Sequence, residues 1–130
     1  MVRVAAFTAA LALAGAAQAA PTQFDLICAG TLETMEKTEP YSTRYRIDTA
    51  AGRFCRDACD SAGKIQQTTA DMITFTKEID DAAGRTRLHY ISRHTGDLVD
   101  TTIDQRLRFM SNAKGSCKPA PFSGFPKAKF

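Results

Sequence analysis

The 130-residue sequence is poor in most of the features that announce a chemistry. It contains only two histidines, His89 and His94. No glycine-rich loop could cradle a phosphate, and no serine or threonine stands in a nucleophile-elbow setting. The carboxylates are scattered, and Asp80-Asp81 falls at a hairpin tip, where aspartate is a turn former. Charge of either sign is weakly biased. Without Arg3, the 17 basic residues fall to 16 against 14 acidic ones, a net +2. That is too little to imply a nucleic-acid partner. Beyond the N-terminal stretch, no apolar run approaches the ~20 residues of a membrane-spanning helix. No segment carries a helical period, and no internal repeat or low-complexity linker is present. The expectation is a non-enzymatic chain without a cofactor.

What is present begins at the N-terminus. MVRVAAFTAALALAGAAQA has one basic residue, an apolar run from Val4 to about Ala14, and small residues at Ala17 and Ala19. This predicts a secretory signal peptide over 1–19, cut before Ala20. The first cysteine, Cys28, comes too late for a lipoprotein signal. Residues 20–130 then form one domain by length, in the bacterial periplasm or the medium.

That domain reads as all-β. Period-2 alternation recurs in FDLICAGTL (24–32), TRYRIDT (43–49), MITFTKEI (72–79), RTRLHYISR (85–93), LVDTTI (98–103) and RLRFMS (106–111), with a weaker strand in KIQQTT (64–69). Gly- and Asp-containing turns separate them. About 7–8 short antiparallel strands must close fully or partly into a barrel, or pack as a two-sheet sandwich, to manage their edges. Consecutive hairpins favour the meander barrel. Arginines at outward positions argue against a membrane barrel. The alternation puts Leu26, Tyr45, Ile47, Phe75, Leu88, Tyr90 and Phe109 inward, bulky enough to fill a small barrel. It aligns Ile79 with Phe75, sets Val99, Thr101 and Ile103 on one face, and pairs Leu107 with Phe109. His89 falls on the Arg87 face and reads as exposed.

Four cysteines, Cys28, Cys55, Cys59 and Cys117, give two disulfides in an oxidising compartment, with three possible pairings. Cys28 lies on the first strand and Cys117 just after the last, which a closing barrel makes neighbours. Cys28–Cys117 is therefore favoured, and the crossed pairings stay open. FCRDACD (54–60) then holds Cys55–Cys59, which one helical turn at 56–62 can bring into disulfide range. A redox centre would need a Cys-x-x-Cys spacing at a helix N-terminus. A metal centre, copper included, would need two more ligands. The preferred reading is a staple, with a thiol-redox or copper-binding role third in rank.

Three Arg-x-Arg pairs stand in three separate expected strands: Arg44 and Arg46, Arg85 and Arg87, Arg106 and Arg108. Alternation points each pair outward. They could form an anion-binding field for an acidic protein face, an anionic glycan or a lipid head group. The plainer reading is cross-strand pairing with Asp48, Glu78, Asp100 and Asp104. The Phe/Pro-rich tail, 118–130, holds Phe122, Phe125 and Phe130. It is expected to plug a barrel end or cover an edge.

FDLIC, YRID…FC…C and FSGFP before a terminal Phe together resemble a group of small exported bacterial proteins without an assigned activity. The resemblance implies export and a β-rich fold and transfers no site residues. The functional expectation is an envelope binding or accessory module acting through its surface. The alternative is a small carrier of an apolar ligand.

Overall fold

The computed structural model describes residues 20–127 and 129, so the expected signal peptide lies outside the described residues. Among the described residues nine antiparallel strands form one sheet: β1 (Gln23–Thr34), β2 (Thr38–Asp48), β3 (Arg53–Arg56), β4 (Gly63–Lys64), β5 (Gln67–Thr68), β6 (Met72–Asp80), β7 (Arg85–Ser92), β8 (Asp97–Asp104) and β9 (Phe109–Ala120). Their order is β4-β3-β2-β1-β9-β8-β7-β6-β5. The first and last long strands therefore pair at the centre, and every other neighbour is a chain neighbour.

The two edge strands, β4 and β5, are separated in the chain by Ile65 and Gln66 alone. Chain connectivity thus draws opposite edges together and curls the sheet into a half-barrel. Ile65 N–H donates to Gly52 O at 2.8 Å, and Gln66 N–H donates to Thr74 O at 3.0 Å. The seam between the edges is occupied by backbone and is not left open to strand addition. KIQQTT, expected as one strand, is split by this seam. Among the described residues no helix is long and apolar enough to cross a membrane.

The two disulfides are Cys28–Cys117 and Cys55–Cys59. Cys28 and Cys117 are direct partners in the β1–β9 register, with Cα atoms 4.0 Å apart. Cys117 lies inside β9 rather than after it. The segment 112–120 does not read as a strand, because glycine, proline and small polar residues hide its alternation. On the loop-entropy model the long bridge, across a separation of 89, contributes about 4–5 kcal/mol and the short one about 2 kcal/mol. Two residues further along β1, Gly30 faces Gly115. A Cβ on Gly30 would overlap the Lys114 carbonyl, so only glycine permits this close approach of β1 and β9.

The core fills the half-barrel. Leu26, Tyr45, Ile47, Ile65, Ile73, Phe75, Ile91 and Leu98 are buried with the Cys28–Cys117 bridge. Tyr45 stacks on Phe75 with ring centroids 5.1 Å apart, and Phe54 meets Phe75 at 4.4 Å. Three strands turn a different face inward from the one expected. In β7 the inward residues are His89 and Ile91, and Leu88 and Tyr90 stand on the outer face. In β8 Leu98 is buried, while Val99 and Ile103 face outward. In β6 a bulge between Thr74 and Thr76 shifts the register. Ile79 is therefore exposed although Phe75 is buried. One extra residue in a strand reverses every side chain beyond it. Leu107 sits in the β8–β9 turn, and Phe109, at the start of β9, is half exposed.

Candidate functional site

FCRDACD begins in β3 and continues, over 57–60, as a loop and not as a helical turn. Asp57 takes a left-handed conformation (φ 50°), which ends regular structure after β3. Its carboxylate turns back onto β2. There it accepts the Thr43 hydroxyl at 3.0 Å and the Arg44 N–H at 2.9 Å. The loop is pinned from the other side by Arg46. Its Nη2 donates to Cys55 Sγ at 2.9 Å and to Asp57 O at 2.8 Å, and lies 3.7 Å from Cys59 Sγ. Its Nη1 donates to Gly124 O at 3.1 Å. One guanidinium therefore joins a strand, a disulfide loop and the C-terminal tail.

The tail neither plugs an end nor covers an edge. Pro119 and Ala120 still belong to β9, and the chain beyond them lies at Ser123 and Gly124 on the outer face of β1 and β2. Ser123 anchors it. Its hydroxyl donates to Asp25 Oδ2 at 2.6 Å and its N–H to Oδ1 at 3.2 Å. Arg44 Nε completes the set at 2.7 Å. Asp25 is wholly buried. Burial alone would raise its pKa, but the bonds from Ser123 and Arg44 outweigh it and hold the carboxyl below the usual range. Gly124 adopts φ 89°, which lets the strap turn toward Arg46. Phe122 and Phe125 pack edge-to-face on each other at 5.3 Å. Phe130 lies outside the described residues.

The interior carries a second polar group. His89, expected on the surface, is buried, and its Nε2 lies 2.7 Å from the Tyr45 hydroxyl. Nearby, Arg56 on β3 reaches across the mouth of the half-barrel to Asp100 on β8 at 2.7 Å. Asp100 lies 3.9 Å from His89. Burial pushes the His89 pKa down to about 4, Arg56 and Arg87 push the same way, and Asp100 opposes them. The ring is therefore neutral at pH 7. Burial likewise raises the Tyr45 hydroxyl above its ordinary value. The sequence signal for this group was present in the alternate face of β7, where His89 and Ile91 share parity with Arg87.

The six arginines do not share one face. Arg44 and Arg46 are on the outer face of β2, engaged by Asp25 and by the loop and strap. Arg85 and Arg87 are on the inner face of β7, beyond His89. Arg106 and Arg108 are in the β8–β9 turn, not in a strand. The expected pairings hold in part. Arg85 meets Asp104 at 3.4 Å and Glu78 at 3.9 Å. Asp100 pairs with Arg56, and Asp48 accepts from Gln23 and Ala51 N–H. Arg106 donates to Ala82 O. Among the described residues the guanidinium groups of Arg87 and Arg108 make no hydrogen bond or ion pair.

Four of the six arginines do converge at one end of the sheet, formed by the tips of the β1–β2, β6–β7 and β8–β9 hairpins. The same end holds Met35, Ile79, Ile103, Leu107 and Phe109, five of the six large apolar side chains left exposed among the described residues; Leu107 is 76% accessible and Met35 66%. Ile79, Thr86, Ile103 and Met110 lie side by side across β6 to β9 on the outer face. At the opposite end, a cleft of about 340 Å³ opens between Ala20-Pro21 and the β7–β8 turn, floored by Phe24, Leu26, Ile73 and Ile91. Models of known protein families, curated proteins and solved structures were all searched, and none matches this chain.

Proposed function

We propose that the protein is an exported, non-enzymatic binding module whose hairpin crown holds an acidic, partly apolar face of a partner protein. The crown of exposed apolar side chains carries this reading, because folded monomers seldom leave such a group uncovered at one place. Arg87 and Arg108 supply the charge. Two of the acidic residues at this end are engaged by the turns, and a third, Glu78, stands opposite Arg87 in the β6–β7 register. Asp80 accepts the Ala83 N–H, and Asp104 accepts Arg106 N–H and Leu107 N–H as well as Arg85. Export is inferred from the N-terminal sequence, and two disulfides are compatible with it.

The test is photo-crosslinking from position 107, with position 116 on the outer face of β9 as control, in an envelope extract. A discrete protein adduct at 107 alone, lost on Arg87→Glu with Arg108→Glu, is the expected result. No adduct at 107, or equal adducts at both positions, overturns the reading. Adsorption to anionic vesicles or a polyanionic glycan, without a protein adduct, replaces the protein partner by that surface.

The carrier is the second reading, and the apolar cleft favours it. Its volume is at the lower end for a small-molecule site. The interior of the half-barrel itself is filled by core side chains. A lipid retained through native mass spectrometry, and displaced by Ile91→Trp, would establish it.

A further inference from the structure

We propose that Cys55–Cys59 is a thiol–disulfide exchange site, with Arg46 as the group that stabilises the Cys55 thiolate. The two sulfurs differ in access. Cys55 is 1% exposed, while Cys59 is half-buried in a surface loop. A thiolate from a low-molecular-weight thiol or a protein dithiol reaches Cys59. The incoming sulfur bonds to Cys59 Sγ, the S–S bond breaks, and the electron pair leaves on Cys55 Sγ. A second thiolate then attacks the mixed disulfide at the incoming sulfur, releasing Cys59 as a thiolate and the oxidised partner. Two electrons pass from the partner to the pair.

Arg46 decides where this balance lies. A disulfide sulfur is a weak acceptor, so the 2.9 Å contact with Cys55 Sγ contributes little while the bond is intact. Once Cys55 is a thiolate, the same contact is charge-assisted. The guanidinium is already fixed by Asp57 O and Gly124 O, so reduction requires no reorganisation of it. An interaction stronger in the reduced form lowers the thiol pKa and makes the pair more oxidising. The carboxylate nearest to Cys55 in sequence, Asp57, is turned away onto Thr43 and the Arg44 N–H, and Asp25 is held by Arg44 and Ser123. Asp60, beside Cys59, is exposed, and Arg56, at the end of β3, is turned to Asp100. The second disulfide is an internal control. It spans a separation of 89 rather than 4, and both its cysteines are buried at the centre of the sheet.

The experiment equilibrates the folded chain with glutathione, and in parallel with a thioredoxin-type dithiol protein, followed by alkylation and peptide mapping. Labelling of Cys55 and Cys59 with Cys28–Cys117 intact is expected. The faster of the two reductants identifies the source of the thiol. Reduction by neither, or only together with Cys28–Cys117, overturns the proposal. The thiolate absorbance of the reduced pair should titrate at least one unit below the ordinary cysteine value of about 8.5. Arg46→Gln should return it toward that value and lower the equilibrium oxidation of glutathione about tenfold. A wild-type midpoint at or above about 8.5 refutes the proposal without any variant. Arg46→Lys, which keeps the charge, should fall between the two and covers the case in which Arg46→Gln does not fold.

Discussion

Acid should destabilise this protein well before its carboxylates titrate, through His89. The ring is buried on Phe75 beside Tyr45, and its folded pKa is depressed to about 4 from 6.5. Between those values the unfolded chain binds the proton and the folded chain does not. Stability is therefore complete above pH 6.5 and lost as pH falls toward 4. From pH 7.5 to 4.5 the linkage amounts to about 2–3 kcal/mol, a large share of the stability of a small domain. Asp25, Asp48 and Asp104 also have lowered pKa values, held by hydrogen bonds from Ser123 and Arg44, from Ala51 and Gln23, and from Leu107 and Arg85. Each loses its contribution only below the ordinary value of 3.8, so pH 4.5 lies above their window. Urea unfolding at the two pH values measures the effect. His89→Gln should unfold more easily at pH 7.5, by about 1 kcal/mol, yet lose less than about 1 kcal/mol on acidification. Equal acid losses in wild type and His89→Gln, or a His89 resonance titrating at 6.5 or above, would refute the reasoning.

Two further outcomes follow from the strands and the strap. Gly30→Ala should cost about 3 kcal/mol or more, because a Cβ there collides with backbone that cannot move aside; a denaturation midpoint equal to wild type would show that β1 and β9 do not cross as closely as described. Ser123→Ala removes a hydrogen bond to a buried carboxylate and should cost about 1–2 kcal/mol. It should also speed proteolysis between residues 121 and 127, and unchanged cleavage there would mean the strap is held elsewhere.

The elements most legible in the sequence were those whose two faces differ in polarity. Apart from the exposed Ile27, β1 and β2 have apolar residues on one parity and arginine, aspartate or small residues on the other, so their inward sets, Leu26, Tyr45 and Ile47, were read correctly. The Cys28–Cys117 and Cys55–Cys59 pairing followed from the same meander, since first and last strands of a closing sheet must meet. The faces of β7 and β8 were not legible. Both parities carry apolar residues there, Leu88 and Tyr90 against Ile91, and Val99 and Ile103 against Leu98, and hydrophobicity alone does not choose between them. The bulge near Phe75 likewise has no local mark.

By itself, then, the chain determined an all-β, antiparallel, disulfide-tied domain, because alternation, turn residues and cysteine count are local properties of sequence. Only the tertiary structure decided that His89 is interior, that the tail straps Asp25 to the outer face, that Arg46 lies against a disulfide, and that four arginines gather with the exposed apolar side chains at one end. Each of those depends on register and sheet curvature, which are set where distant strands meet and not within any one of them.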